Sequence, residues 1–257
     1  MSRPLDCPLD HAARRENFGF QRVERLAGNV GYINMSAFHR PEFAGETVGA
    51  AMTFLANTDA LIIDLRTSRG GSPDMTLFLV SYFFPGEEQV YLGGWYSRAE
   101  NFSQQWWTLP YVPGPRYLDK DVYVLVSGTT FSAPEGLAAF MQHHKRARVV
   151  GEPTIGGSHP GLRISVHPNF ALFVPAYRAV YPTGKPTFPL GRPIYPETRV
   201  DVKGDPVQPD LPVAANKALN TAHVEALKKR AAASPQRKEE LTPIIQRLTE
   251  ELQRKSN

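Results

Sequence analysis

The sequence predicts an α/β fold assembled from βαβ crossovers, and three observations carry that expectation. Two continuous apolar runs, "ALII" at 60–63 and "VYVLV" at 122–126, are too short for helices. They lack the alternation of a half-exposed strand, so they read as strands covered on both faces. Each run ends in a turn of small residues and is followed by helical spacing: "SRGGSP" leads into "DMTLFLVSYFF", and "SGTTFS" into "APEGLAAFMQHH". Another short strand, "ARVVGE", follows the second helix. Strand, tight turn, helix, strand is the pattern of a crossover between parallel strands.

The remaining elements follow in chain order. "FQRVERLAGNVGYINMSAF" reads as two short strands around a Gly28-Asn29 turn, a hairpin signal. Residues 44–55, "AGETVGAAMTFL", carry small and apolar side chains at helical spacing. Pro73 suits the first turn of the helix after Gly70-Gly71. The aromatic stretch "QVYLGGWYSRAENFSQQWWTLPYVPGP" reads as irregular chain covering a groove, with Trp95, Trp106 and Trp107 either lining that groove or filling core. Short strands are expected beyond Gly161, then a Pro-rich run over 182–212 and two helices, the second highly charged. The organisation expected is a lead-in at 1–16, a core at 17–211 and C-terminal helices at 212–257.

Composition excludes several classes of function. A chain of 257 residues, 42% hydrophobic, can bury a substantial core. The net charge of +4 comes from the tail: from Lys228 onward eight Lys/Arg face four Asp/Glu, and the rest is balanced. A basic, Glu-interleaved tail is the pattern of a solvated helix face, so no nucleic-acid partner is expected. The single Cys7 permits neither an internal disulfide nor a thiolate metal cluster. No apolar leader or membrane-length segment is visible, so a cytoplasmic protein without a membrane partner is expected. No His/Cys/Asp/Glu set has metal-ligand spacing, and "SRGG" lacks both the P-loop Lys and the dinucleotide GxGxxG. No cofactor is expected.

Ligands of such sheets collect where strands end and helices begin. Ser132 stands there, after the 122–126 strand and at the mouth of a helix. As a nucleophile it would need a base and N–H donors for an oxyanion, which Ala133 and Gly70 or Gly71 could supply. The helix macrodipole would favour negative charge at the same point. The competing reading is a helix cap, since Ser132 and Glu135 have the spacing of a capping box. Asp64 and Arg66 in "IDLR" read as a structural charge pair holding the glycine turn. Local physics leaves both readings of Ser132 open.

Taken together, "LIIDLRTSRGGSP", "VYVLVSGTTFSAPEGLAAFMQHHKRARVVGEPTIGGSHPG" and "GDPVQPDLPVAANKAL" resemble, in order, the tail-specific or C-terminal processing serine peptidases. The resemblance spans residues 17–229 and is nearest the branch holding interphotoreceptor retinoid-binding protein and the tricorn protease core. It implies a ClpP/crotonase-like α/β core with a C-terminal helical extension and cleavage of polypeptides without a cofactor. It also implies Ser132 as nucleophile, with Ala133 and a glycine of "SRGG" as the oxyanion hole.

Three departures bear on activity. Ser–Lys members place a Lys where Gly157 stands here. The branch draws its His from an upstream helical domain, and His11 does not match that motif. Lys203 occupies the place of the branch's Glu, where a cation would disfavour a protonated His nearby. Candidate substitute bases are His159 in "GGSHPG" and Lys203. His143 and His144 fall at the far end of the Ser132 helix, out of reach. Two functions are therefore expected to compete: a serine endopeptidase acting on unstructured polypeptides, weak or inactive if its base is lost, and a binding module holding a hydrophobic ligand or peptide. Assembly as a homo-oligomer is a further expectation.

Overall fold

The computed structural model describes residues 8–157, 159–180, 193–199 and 217–254. After a short helix α1 (Pro8–Arg15), the chain enters a hairpin of β1 (Phe20–Leu26) and β2 (Val30–Met35). Gly28 and Asn29 in its turn have φ of 74° and 60°, left-handed values that glycine and asparagine tolerate best. Helix α2 (Pro41–Leu55) begins three residues before the apolar periodicity does, because Pro41 sits at its first position. Strand β3 (Ala60–Asp64), helix α3 (Pro73–Ser81), β4 (Tyr91–Ser97), β5 (Phe102–Trp107), β6 (Asp121–Val126), helix α4 (Ala133–His143) and β7 (Arg148–Gly151) follow. Then come β8 (Gly161–His167), β9 (Phe170–Pro175), β10 (Arg178–Val180), β11 (Thr198–Arg199), α5 (Lys217–Ala233) and α6 (Pro235–Arg254).

A six-stranded sheet in the order β1-β2-β3-β6-β7-β11 forms the centre, with only β1 antiparallel to its neighbour. Alternate residues of the buried strands feed two separate cores. Leu61, Ile63, Val122, Val124 and Val149 pack with α2, α3 and α4. Ala60, Ile62, Tyr123, Leu125 and Val150 pack with Leu219, Ala222 and Leu227 of α5 and Leu241 and Leu248 of α6. This two-sided burial explains the unbroken apolar runs. Each fully buried Leu or Ile contributes about 1.5–3 kcal/mol, and Leu61 and Ile62 are wholly buried. The basic tail is fastened at the N-terminal ends of two strands: Lys229 pairs with Asp121 and Arg230 with Asp59. Part of its charge therefore holds a helix to a sheet.

The aromatic stretch read as irregular is instead ordered. Strands β4 and β5 form an antiparallel hairpin that β10 joins on the β4 side. Gly93 and Gly94 hide that strand from a sequence reading, since glycine weakens strand propensity. The backbone needs it nonetheless, because a Cβ on Gly94 would lie 1.8 Å from the Gln104 carbonyl oxygen. Among the described residues, strands β8 and β9 pair with each other alone. Most of the Pro-rich run, and Lys203 with it, lies outside the described residues.

Candidate active site

The site lies where β3 and β6 end, and a lattice of polar contacts joins the two loops that leave them. Asp64, at the end of β3, is fully buried and receives Arg66 Nε at 2.8 Å, the Arg66 amide at 3.1 Å and the Tyr32 hydroxyl at 2.8 Å. Burial pushes the Asp64 carboxyl up, but the Arg66 charge, then the Arg66 and Tyr32 hydrogen bonds, outweigh it and hold it below the usual range. Burial, then the Asp64 charge, pushes the Tyr32 hydroxyl far up. The pair is structural, as its position at a strand end suggests.

Arg66 then presents its carbonyl oxygen to the second loop. Ser127 Oγ donates to it at 2.7 Å and Thr129 Oγ1 at 2.6 Å, while Thr130 Oγ1 donates to the Leu65 carbonyl at 2.9 Å. The Phe131 amide donates to the Ser68 carbonyl at 3.1 Å. The loop carrying Ser132 is thus tied, residue by residue, to the loop carrying the glycines. These hydroxyls in "SGTTFS" hold the two loops together, a positioning part that sequence reasoning passed over. Their signal was the density of Ser and Thr in a turn, where such side chains bond nearby backbone.

Ser132 has φ 65° and ψ −125°, a conformation that non-glycine residues rarely hold. Such strain persists only where the surroundings over-determine it, and at this residue they do. The Ser132 amide donates to Glu135 Oε2 at 2.6 Å. The same buried carboxylate accepts from the Gly157 amide at 2.9 Å, the Gly156 amide at 2.6 Å and Thr154 Oγ1 at 2.5 Å. Glu135 therefore gathers the Ser132 loop and the 154–157 loop onto the first turn of α4. The capping-box arrangement is present, with the Ser132 side chain at the Glu135 amide and the Glu135 carboxylate on the Ser132 amide, and the Glu135 amide also donates to the Ser132 carbonyl oxygen at 2.9 Å. Ser132 thus stands at a capped helix mouth, as its spacing to Glu135 predicts.

Gly70 packs against the back of Ser132: a Cβ there would lie 3.2 Å from Ser132 Cβ. Gly71 has φ 136°, and a Cβ on it would lie 2.0 Å from the Phe38 carbonyl oxygen, so only glycine fits. The Gly70 carbonyl accepts from the Phe38 amide at 2.9 Å, and the Ser72 amide donates to the Phe38 carbonyl at 2.7 Å. Among the described residues, no hydrogen bond engages the amides of Gly70, Gly71 or Ala133. Ala133 opens α4, where the first N–H groups have no helical acceptor.

These groups border a cavity of about 500 Å³ lined by Gly71, Ser132, Ala133, Trp95, Trp106, Phe140 and Phe173 among others. Two of the three tryptophans line it, while Trp107 is exposed. His159 is also on its wall, although no hydrogen bond joins it to Ser132. Gly157 leaves no room for a longer side chain as the loop stands, since a Cβ would lie 1.8 Å from the Phe131 ring. His143 and His144 end α4, away from the cavity; His144 packs edge-on against Phe84, and burial, then the neighbouring His143, lowers its pKa. His223 is buried against the Ala27 carbonyl on the opposite face of the sheet. No cluster of His, Cys, Asp and Glu among the described residues could hold a metal ion, and none of their helices is long and apolar enough to cross a membrane.

Comparison with known proteins places this geometry in context. The family model of peptidase family S41 matches residues 29–193. A carboxyl-terminal-processing protease of Synechocystis is 27% identical over 153 residues, covering 60% of this chain and 31% of that protein. A carboxy-terminal-processing protease of Bartonella bacilliformis is 28% identical over 187 residues, covering 70% and 41%. The chain thus spans well under half the length of either relative. Among solved structures, the photosystem II D1 C-terminal processing protease superposes with a TM-score of 0.56 at 19% identity, over 70% of this chain and 44% of that one. A Bacteroides fragilis chain assigned to the S41 proteases superposes with a TM-score of 0.66 at 20% identity, over 79% and 56%. Both structural likenesses concern the fold.

Proposed function

The chain belongs to peptidase family S41, and from that premise and the site geometry we propose that it is a serine endopeptidase acting on unstructured polypeptides. The observation that carries the reading is Ser132 itself. It is a non-glycine residue in a strained conformation at a helix mouth on the cavity wall, and among the described residues no hydrogen bond engages the amides of Gly70, Gly71 or Ala133. In this reading the Ser132 Oγ attacks the carbonyl carbon of a peptide bond and its proton passes to a base. The carbonyl oxygen, now an oxyanion, takes hydrogen bonds from the amides of Ala133 and of Gly71 or Gly70, at the positive end of the α4 dipole. Collapse of the intermediate returns the proton to the leaving amine, and water then hydrolyses the acyl-enzyme. His159, on the cavity wall, is the proposed base, with Lys203 the alternative. Gly157 in the Ser–Lys position supports assignment to the retinoid-binding-protein and tricorn-like branch.

A second reading has its own support. The walls of Trp95, Trp106, Phe140 and Phe173 would suit an apolar ligand held without cleavage. Hydrolysis of an unfolded, fluorescently labelled protein, run beside Ser132→Ala, separates the two. Activity in the parent that vanishes in the variant supports the peptidase. Background signal in both, with an apolar fluorophore still bound by the variant, supports the binding module.

A further inference from the structure

Six of the described residues that line the Ser132 cavity are glycines, and the backbone or a packed ring holds five of them to glycine. A Cβ would meet a carbonyl oxygen at 2.0 Å on Gly71, 1.8 Å on Gly94 and 2.4 Å on Gly161, and the Phe131 ring at 1.8 Å on Gly157. Gly156 has φ 95°, which side chains disfavour. Gly136 has no such reason. It lies inside α4, and the atoms nearest to a Cβ there would be Thr76 Cγ2 at 3.6 Å and Phe140 Cε2 at 4.0 Å, ordinary contact distances. Glycine is the weakest helix former apart from proline, so alanine would serve the helix better at this position. What glycine supplies there is open space beside the site.

That space has a shape and a chemistry. Ser132, Gly136 and Phe140 follow one another at four-residue spacing, so they form one stripe along α4, and all three line the cavity. From Ser132 to Phe140 the stripe runs about 12 Å at the helical rise. Trp106 stands edge-on to Phe140, with ring centroids 6.1 Å apart, and edge-on to Trp95 at 4.7 Å, so three aromatic rings make one continuous wall. The described lining residues include no Asp, Glu, Lys or Arg, and the one titratable group among them is His159. The Thr76 hydroxyl is already committed, donating to the Ala133 carbonyl at 2.9 Å. A charged side chain entering this pocket would lose its hydration against apolar walls. An aromatic or long aliphatic one would leave water for packed rings.

We propose that Gly136 is the specificity-determining residue of this site. With no side chain there, the cavity accepts a large uncharged side chain, aromatic or long aliphatic, on the residue whose carbonyl carbon Ser132 attacks. The inference rests on the peptidase reading of Ser132. Its assignment to that residue follows from where the pocket begins: Gly71 and Ala133, whose amides would hold the carbonyl oxygen, are themselves on the wall. That oxygen is two bonds from the Cα of its own residue and three from the Cα of the next.

The test uses fluorescently labelled, alanine-rich peptides with one varied residue X: phenylalanine, leucine, alanine, aspartate or lysine. Binding is read by fluorescence anisotropy on the full chain carrying Ser132→Ala, and hydrolysis by the parent is mapped by mass spectrometry. The phenylalanine and leucine peptides should bind at least about tenfold tighter than the other three, and the parent should cut them after X. Gly136→Ala should keep the parent's melting midpoint or raise it, and should still narrow the preference at least about threefold. Gly136→Leu, which fills the pocket, should bring the phenylalanine peptide down to the alanine level. Binding in the expected order without hydrolysis by the parent would support the role of Gly136 and count against the peptidase reading alone. Hydrolysis that ignores X or falls before it would overturn the proposal, as would equal or undetectable binding of all five peptides. A preference unchanged by both Gly136 substitutions would overturn it too.

Discussion

Replacing Glu135 by Gln probes the device that holds the candidate nucleophile in place. The carboxylate accepts four hydrogen bonds, two at each oxygen: Ser132 and Gly157 amides at Oε2, the Gly156 amide and Thr154 Oγ1 at Oε1. Glutamine keeps the shape but offers one carbonyl oxygen, so its NH₂ group must face two donors. Hydrogen bonds to a charged group contribute about 1.5–3 kcal/mol each, so losing two costs about 3–6 kcal/mol. At about 2–4 °C per kcal/mol for a chain of this size, the melting midpoint should fall by about 6–24 °C. Ser132, whose φ of 65° depends on this anchor, should relax, and a displacement of about 1 Å lowers the rate about 100-fold. Thermal denaturation and hydrolysis of a labelled unfolded protein read the two effects. Thr154→Val, which removes one donor to the carboxylate and the acceptor of the Ile194 amide, should cost at least about 1.5–3 kcal/mol. If Glu135→Gln melts and cleaves like the parent, the hub does not hold the nucleophile.

Other outcomes follow from the same geometry. Gly71→Ala should destabilise by about 1–3 kcal/mol, as its φ of 136° and the Phe38 carbonyl leave no place for a Cβ; unchanged melting and activity would show that the loop adapts. Asp64→Asn should cost about 3–5 kcal/mol in urea denaturation, because it removes one partner of a buried ion pair; a change under about 1 kcal/mol would refute this. Burial, then the charge of Arg247, lowers the His223 pKa against the raising effect of the Ala27 hydrogen bond. The unfolded chain therefore binds the proton more readily. Stability should be full above about pH 6.5 and fall by up to about 1.4 kcal/mol per pH unit below it. His223→Gln should flatten that slope in pH-dependent melting, and an unaltered slope would assign the effect elsewhere.

How far the sequence could be read follows from the range of the interactions. The β1–β2 turn was legible because Gly28 and Asn29 carry their own conformational signature. Strands β3 and β6 were legible because burial on both faces leaves no polar residue in the run. Ser132 stood out through its place between strand and helix. Its anchor was not legible as such: Glu135 reads as a cap partner until Thr154, Gly156 and Gly157, some twenty residues on, fold back to the same carboxylate. The β10-β4-β5 sheet was hidden because Gly93 and Gly94 serve a close backbone approach that only tertiary structure reveals. The base cannot be read from spacing, because nothing local to His159 distinguishes a loop histidine from one on a cavity wall.

The most direct test of the account is covalent capture of the nucleophile. The full chain, incubated with an alkyl fluorophosphonate and mapped by peptide mass spectrometry, should carry a single phosphonyl group on Ser132. Ser132→Ala should carry none. An unlabelled Ser132 in a protein that nonetheless cleaves polypeptides, or labelling that persists in the variant, would contradict the assignment of Ser132 as the attacking group.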